Sequence, residues 1–366
     1  MSSTYPRIVV DLSKIKHNVE TLIHKASEKQ VDITGVIKGA NGLPEIIDTF
    51  IEGGIKTIGS SRLEQLELTK QLHPESQTMM LRIPMLSELD RMVKCSDISL
   101  NSEWVTLNEL NHVCQKQGIT HSVILMMDLG DLREGFFDEE ELFSAAHLVE
   151  KELAHLHLKG IGTNLGCYGS IQPDEVNLGR LVQLAEHIEH DIGRTLEIIS
   201  GGASTTVPLI LNDTLPERIN HLRVGDNIFL RDMEAFFDYT FPEMYGDAFT
   251  IEAEILEIKE KPSYPIGHIS VDAFGNAAEY TNIGNRMRAL IGIGRQDLGD
   301  MTKLIPYDKK IQAIGGSSDH TIVDVTDSDK TYQVGDILSF NIEYELLLYA
   351  TNSQYVGKKF IKSELS

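Results

Sequence analysis

The strongest constraint in this sequence is a rhythm. Over the first two thirds of the chain, short apolar runs recur, each followed by a longer amphipathic stretch. The runs lie at Ile33 to Ile37, Ile55 to Gly59, Thr78 to Leu81, Ile98 to Leu100, Ser122 to Met127, Leu156 to Gly162, Leu196 to Ile199 and His221 to Val224. This alternation is the pattern of parallel strands joined by helices. Helical periodicity is clearest over Glu139 to Leu153 and Pro173 to Ile192, where Pro173 suits a first turn. Eight strand–helix units in this length favour closure into a TIM (β/α)8 barrel over an open doubly wound sheet. No GxGxxG follows the first run, which also weakens the dinucleotide-binding alternative.

After about Phe236 the period changes to two, as in Phe249-Thr-Ile-Glu-Ala-Glu-Ile-Leu-Glu-Ile, with Pro262, Pro265, Gly275, Gly284 and Gly315-Gly316 as punctuation. That is a β-rich segment. Val334-Gly-Asp-Ile-Leu-Ser-Phe reads as a turn feeding a strand. A stray strand at Arg7 to Asp11 precedes the first helix, and its simplest partner is this second region. The expected fold is therefore α/β: a barrel over residues 12–235, and a C-terminal β-rich domain over 236–366 joined by residues 1–11.

Charge narrows the function classes. With 33 basic and 55 acidic side chains among 366 residues, the net charge of −22 disfavours nucleic acid and anionic membranes. The field suits cationic small molecules, although solubility alone is the simpler explanation. The longest apolar runs fall far short of a membrane span and no basic-then-apolar leader opens the chain, so a cytoplasmic location is expected. Cys95, Cys114 and Cys167 are unevenly spaced without a C-x-x-C pair, which argues for a reducing compartment and against a metal site.

In such barrels chemistry gathers at the carboxyl ends of the strands. The first run ends in Lys38-Gly39-Ala40-Asn41, and the fifth in Asp128-Leu-Gly-Asp-Leu-Arg133-Glu-Gly135. The sixth leads into Thr163-Asn164-Leu165-Gly166-Cys167-Tyr168, the seventh into Ser200-Gly201-Gly202-Ala203-Ser204-Thr205, and the eighth carries Arg223-Val224-Gly225-Asp226. Loops after the last two strands commonly bind phosphate, and here both carry glycines, with Ser204 and Thr205 adding hydroxyl donors. Each loop alone is an ordinary turn, and Lys38 alone is an ordinary surface lysine. Together they suggest a phosphorylated aldehyde cofactor held by an amine of depressed pKa.

The same residues resemble the alanine racemase superfamily, the fold type III pyridoxal 5'-phosphate (PLP) enzymes, over nearly the whole chain. Ile8-Val-Val-Asp11-Leu-Ser-Lys-Ile-Lys-His-Asn18 resembles its opening strand and helix, and Val36-Ile-Lys38-Gly-Ala-Asn its Schiff-base lysine motif. Asp128-x-Gly130-x-x-Arg133-x-Gly135 is similar to the segment whose arginine meets cofactor and substrate. Arg223-x-Gly225 is similar to the segment whose arginine faces the pyridine nitrogen, followed by phosphate-binding amides. A guanidinium stays protonated, so Arg223 would leave that nitrogen neutral, which suits moving one α-proton over decarboxylation. The resemblance further implies a homodimer with shared active sites, and cofactor contacts from Asn164, Gly202, Ser204, Thr205, Gly225, Asp226 and Tyr344.

Departures from the family pattern point to a divergent branch. Gly292-Ile-Gly-Arg295-Gln-Asp297 carries arginine where alanine racemases place a catalytic tyrosine. Asn164 stands for a histidine, Met126 for a carbamylated lysine, and Gly42 for a phosphate-binding tyrosine. Together with Ser317-Ser318-Asp319-His320, these features resemble the ornithine racemase branch, implying ornithine or another basic amino acid as substrate. Racemisation needs an acid or base on each face of a planar intermediate. Lys38 serves one face; His320 leads for the other, with Cys167 and Tyr168 as alternatives. Arg133, Arg295 and Ser318 are expected to bind substrate. Competing expectations are an alanine or broad-specificity racemase, a D-threonine-aldolase-type lyase, and a non-catalytic PLP carrier, the last disfavoured by the β-rich segment.

Overall fold

The computed structural model describes residues 4–365 apart from 238, 273, 276 and 278. The chain divides into two compact units, one of residues 14–245 and one joining residues 1–13 to 246–366. The first strand, β1 (Arg7–Asp11), belongs to the second of these.

The larger unit holds eight parallel strands: β2 (Asp32–Val36), β3 (Thr57–Ser60), β4 (Gln77–Met80), β5 (Ile98–Asn101), β6 (His121–Met126), β7 (Leu156–Gly162), β8 (Ile198–Ser200) and β9 (His221–Val224). They close into a barrel in chain order, as the alternation predicts. Closure is made by β2 and β9, where Thr34 lies opposite Arg223 and Gly35 opposite Val224. Met79, Ile98, Leu100, Ile124 and Met126 are almost wholly buried together and form an apolar cluster over β4, β5 and β6. Met126 is thus a core residue. Strand limits differ from the apolar runs by a residue or two, because backbone pairing and side-chain burial end at different places.

In the smaller unit, β10 (Phe249–Pro262), β11 (Asn285–Ile291), β12 (Ile305–Pro306), β13 (Gln312–Gly316), β14 (Thr321–Asp324), β15 (Ile337–Asn341) and β16 (Gly357–Ile361) follow. Their order is β12-β15-β10-β11-β14-β13, and β1 pairs antiparallel with β10 and parallel with β16. The period-two segment is β10: Phe249, Ile251, Ala253 and Ile255 are fully buried, and a bulge between Ile255 and Glu257 marks where the alternation lapses. Below it the strand pairs with β1 and β15, and above it with β11.

One local expectation changes. The long helix runs Glu175–Ile192, leaving Pro173 outside it. Asp174 caps it instead, its carboxylate accepting from the Asn177 N–H at 2.7 Å, while Asn177 Oδ1 accepts from the Asp174 N–H at 3.0 Å. A side chain that satisfies orphan donors marks the start more strongly than a ring that merely tolerates it. Tyr344 opens the helix Tyr344–Asn352, whose buried Leu346, Leu347 and Ala350 recur at helical spacing.

Replacing the cap tests its weight: D174A should lower stability by about 1 kcal/mol. A thermal midpoint unchanged within error would show that the capping box contributes nothing.

Candidate active site

The β2 strand stops at Val36, and Ile37 donates to the Gly59 carbonyl at 3.1 Å before the chain makes a single tight turn over Lys38–Ala40. Lys38 is thereby delivered to the carboxyl end of the barrel. It keeps accessible surface there, while the protein atoms on its other sides desolvate its ammonium. Burial holds the amine below its ordinary 10.5; Arg133 and Arg223 add to this, and Cys167 and Glu134 oppose it. Residues from the ends of β2, β6, β7 and β9 are thus close enough to act on one amine.

Arg223 is buried on β9. One guanidinium nitrogen donates to Ser200 Oγ on β8, and another to the Thr163 carbonyl after β7 at 2.7 Å. Burial draws its pKa down to about 10, which still leaves it charged near neutrality. Beside it, Gly225 packs so tightly that a β-carbon would lie 2.6 Å from the Val36 carbonyl oxygen, so only glycine lets β9 end against the Lys38 turn.

The loops after β8 and β9 meet at Ser204, whose hydroxyl accepts from the Gly225 N–H at 3.4 Å. So long a bond is easily given up to a better acceptor. Gly202 turns the chain with a φ of +119°, a conformation open to glycine. The Thr205 hydroxyl is already committed to the Leu165 carbonyl at 2.9 Å, so this residue has its backbone N–H to offer rather than the hydroxyl expected of it. Asp226 opens the short helix Asp226–Phe229, and burial followed by the neighbouring Asp232 raises its carboxyl pKa. A carboxyl kept neutral does not repel an anion.

The loop after β7 is organised by Asp131, which sequence reasoning passed over. Its buried carboxylate accepts from the N–H groups of Gly166 (3.1 Å), Cys167 (3.2 Å), Tyr168 (2.9 Å) and Ile171 (3.4 Å), and its carbonyl accepts from Gly169 at 2.9 Å. The Arg133 segment and the Asn164–Tyr168 segment are therefore one clamped assembly. Within it Asn164 donates to Cys167 Sγ at 2.9 Å, Cys167 is exposed, Tyr168 is largely exposed, and Arg133 pairs with Glu134. The family's tyrosine position, Gly42, has Gln65 packed over it, and Gln65 also bonds Asn41 at 3.2 Å.

The smaller unit gathers the remaining candidates. Arg295 lies over the Phe274 ring at 4.2 Å, and its N–H donates to the Ser317 carbonyl at 3.0 Å. Gly294 rests against the turn from Ser318 to His320, where the Ser318 hydroxyl donates to Asp319 at 2.6 Å and His320 is exposed. Arg295, Ser318 and His320 thus form one neighbourhood. Tyr344 is half-buried at its helix start, apart from that turn in the chain.

A barrel with a desolvated lysine after its first strand, and a buried arginine and glycine-bearing loops at its last two, is a place for an anionic aldehyde cofactor. Comparison with known proteins identifies the class. The family model for the alanine racemase N-terminal domain matches residues 10–231. An ornithine racemase of Acetoanaerobium sticklandii is 41% identical over 358 residues, covering 98% of this chain and 100% of that one. A lysine racemase of Thermotoga maritima is 35% identical over 357 residues, covering 97% and 98%. The crystal structure of alanine racemase from Streptomyces lavendulae shares the fold with a TM-score of 0.77 at 17% identity, covering 100% and 99%. The chain belongs to the alanine racemase family and is a PLP-dependent amino-acid racemase. Its residues fit that cofactor: a desolvated amine for the aldehyde, a long Ser204–Gly225 bond ready to open to phosphate, and a guanidinium that can only donate.

The residues missed in the sequence are Asp131, Glu134, Thr163, Ser200 and His221. Asp131, Thr163, Ser200 and His221 act through partners remote in the chain, so no local motif announced them, while Glu134 pairs with the adjacent Arg133. Only the Asp-x-x-Asp spacing of 128 and 131 offered a signal.

Two outcomes follow. D131A should release the loop after β7, so that chymotrypsin cleavage after Tyr168, read by mass spectrometry, quickens by about tenfold or more; an unchanged rate would refute the clamp. For Lys38 the folded pKa is below the unfolded one, so its burial penalty is fully present below the folded pKa and is lost as pH rises towards 10.5. The cofactor-free K38M variant should therefore melt above wild type at pH 7, with the gap closing towards pH 10.5. A K38M midpoint below wild type at pH 7 would contradict the desolvation.

Proposed function

We propose that the protein interconverts L- and D-ornithine, or a closely similar basic amino acid. The observation that carries this reading is the desolvated Lys38 amine at the end of β2, within reach of Arg133, Glu134, Cys167 and Arg223. The preference for a basic side chain is supported by the two relatives named for ornithine and lysine, and by the net charge of −22.

When bound, PLP withdraws electrons from the attached amino acid and so makes its α-hydrogen acidic. Lys38 would hold the cofactor, and its amine would take or return the α-proton on one face. Its lowered pKa leaves more of the amine unprotonated near neutrality than an ordinary lysine. Arg223 would face the pyridine nitrogen and, as a guanidinium that can only donate, would not give it a proton, which limits electron withdrawal to what a single proton transfer needs. Gly202, Ser204, Thr205, Gly225 and Asp226 would receive the phosphate and Asn164 would lie against the ring; Tyr344 is assigned to the phosphate by the family resemblance. Arg133 would contact cofactor and substrate.

On the opposite face we assign the proton to His320, with Arg295 and Ser318 as substrate contacts. This is supported by their shared neighbourhood and by an imidazole's ability to give and take protons near pH 7. Cys167 and Tyr168 remain the competing groups, and the Asn164 donor on Cys167 Sγ favours the thiol of the two. The assignment carries with it a cytoplasmic homodimer in which the β-rich unit of a second copy completes each site.

The test is to incubate the holoenzyme with single amino acids in deuterated water. L-ornithine should acquire α-deuterium and yield the D-isomer, whereas H320N should slow exchange from one enantiomer by about a hundredfold or more and spare the other. Absence of exchange across a full amino-acid panel would sink the reading; equal losses from both enantiomers would remove His320 as the second base.

A further inference from the structure

Beneath Arg223 lies a buried polar chain that the reaction as described does not use. Ser200 Oγ, which accepts from the guanidinium, also lies 2.8 Å from Nδ1 of His221, and Nε2 of the same ring lies 2.8 Å from Thr34 Oγ1. All four residues are buried, and they link β8, β9 and β2. His221 and Arg223 are two apart on β9, so they share a face.

The direction of this chain follows from proton counting. A guanidinium has donors only, so Ser200 Oγ must accept from Arg223. The serine's own hydrogen then needs an acceptor, and the one recorded for it among the described residues is His221 Nδ1. Nδ1 is therefore unprotonated, Nε2 carries the ring hydrogen, and Thr34 Oγ1 accepts it. The opposite tautomer would put two donors on Ser200 Oγ and leave its hydroxyl hydrogen unplaced, a cost in a buried network.

We infer that Ser200 and His221 are positioning residues for the cofactor's arginine: a neutral imidazole locked as its Nε2–H tautomer holds Ser200 as an acceptor, which in turn fixes the Arg223 guanidinium. The inference rests on reading Arg223 as the neighbour of the pyridine nitrogen. Around the ring, Arg223 is the charge that acts on it directly, while Asp32, Lys56, Lys159 and Glu197 line the cavity it shares at the amino end of the barrel. Burial, then Arg223, brings the His221 pKa down to about 3, in keeping with a ring that never charges in the working range. Protonation would reverse Nδ1 into a donor and break the chain.

The first measurement uses the wild-type protein with histidine labelled by nitrogen-15, His221 being assigned from the spectrum of H221N. We expect one protonated and one bare ring nitrogen, with Nε2 protonated, unchanged between pH 8 and pH 5. A titrating ring or an Nδ1–H tautomer overturns the proposal whatever the substrate proves to be. The second uses holoenzyme variants. S200A should lower kcat about tenfold to a hundredfold in both directions with KM nearly unchanged, and shift the absorption maximum of the bound cofactor. T34V, which removes the acceptor for the His221 Nε2–H, should move both readouts in the same sense by less, while T34S, which keeps that hydroxyl at a position that also lies opposite Arg223, should leave them at wild-type values. Wild-type spectra and kinetics for T34V would end the chain at Ser200 and refute the relay, as would an S200A enzyme within twofold of wild type.

Discussion

The pairing of β2 with β9 is the constraint on which the site depends. It places Thr34 opposite Arg223 and Gly35 opposite Val224, so two chain segments almost two hundred residues apart end side by side. Gly225 lets them end closely, against the Val36 carbonyl, one turn from Lys38. Without that closure the lysine and the arginine would be unrelated side chains on separate strand ends. With it, one amine is desolvated and exposed to the charges of four neighbours.

Burying a permanent cation between strands is costly unless every donor direction is answered. The barrel answers for Arg223 with Ser200 and the Thr163 carbonyl, and Ser200 is in turn supported by His221 and Thr34. A contrasting cluster of Met79, Ile98, Leu100, Ile124 and Met126 packs the β4, β5 and β6 strands. Asp131 does for the β7 loop what Ser200 does for Arg223: it gathers donors that have no partner within their own turn.

Much of the fold was legible because periodicity is a local property. Alternation of apolar runs with amphipathic stretches announced the barrel, and the period-two segment at Phe249 announced β10. Lys38, Arg223 and Gly225 were legible as residues where apolar runs stop. The limits of legibility were also physical. The start of the long helix depended on whether Asp174 or Pro173 better satisfied its first turn. Thr205 looked like a free hydroxyl donor until its bond to Leu165 was visible.

By itself the sequence determined the two kinds of unit, the eight strands of the barrel, and the residue types offered at each strand end, since hydrophobic period and turn chemistry act over a few residues. What the tertiary structure alone decided is which of those offers meet. Asp131 clamping Cys167 and Tyr168, and His221 reaching Ser200 and Thr34, are contacts between side chains whose separation in the chain carries no signal. Their partners are chosen by barrel closure and by the need to satisfy buried donors, and both conditions exist only once the strands are packed.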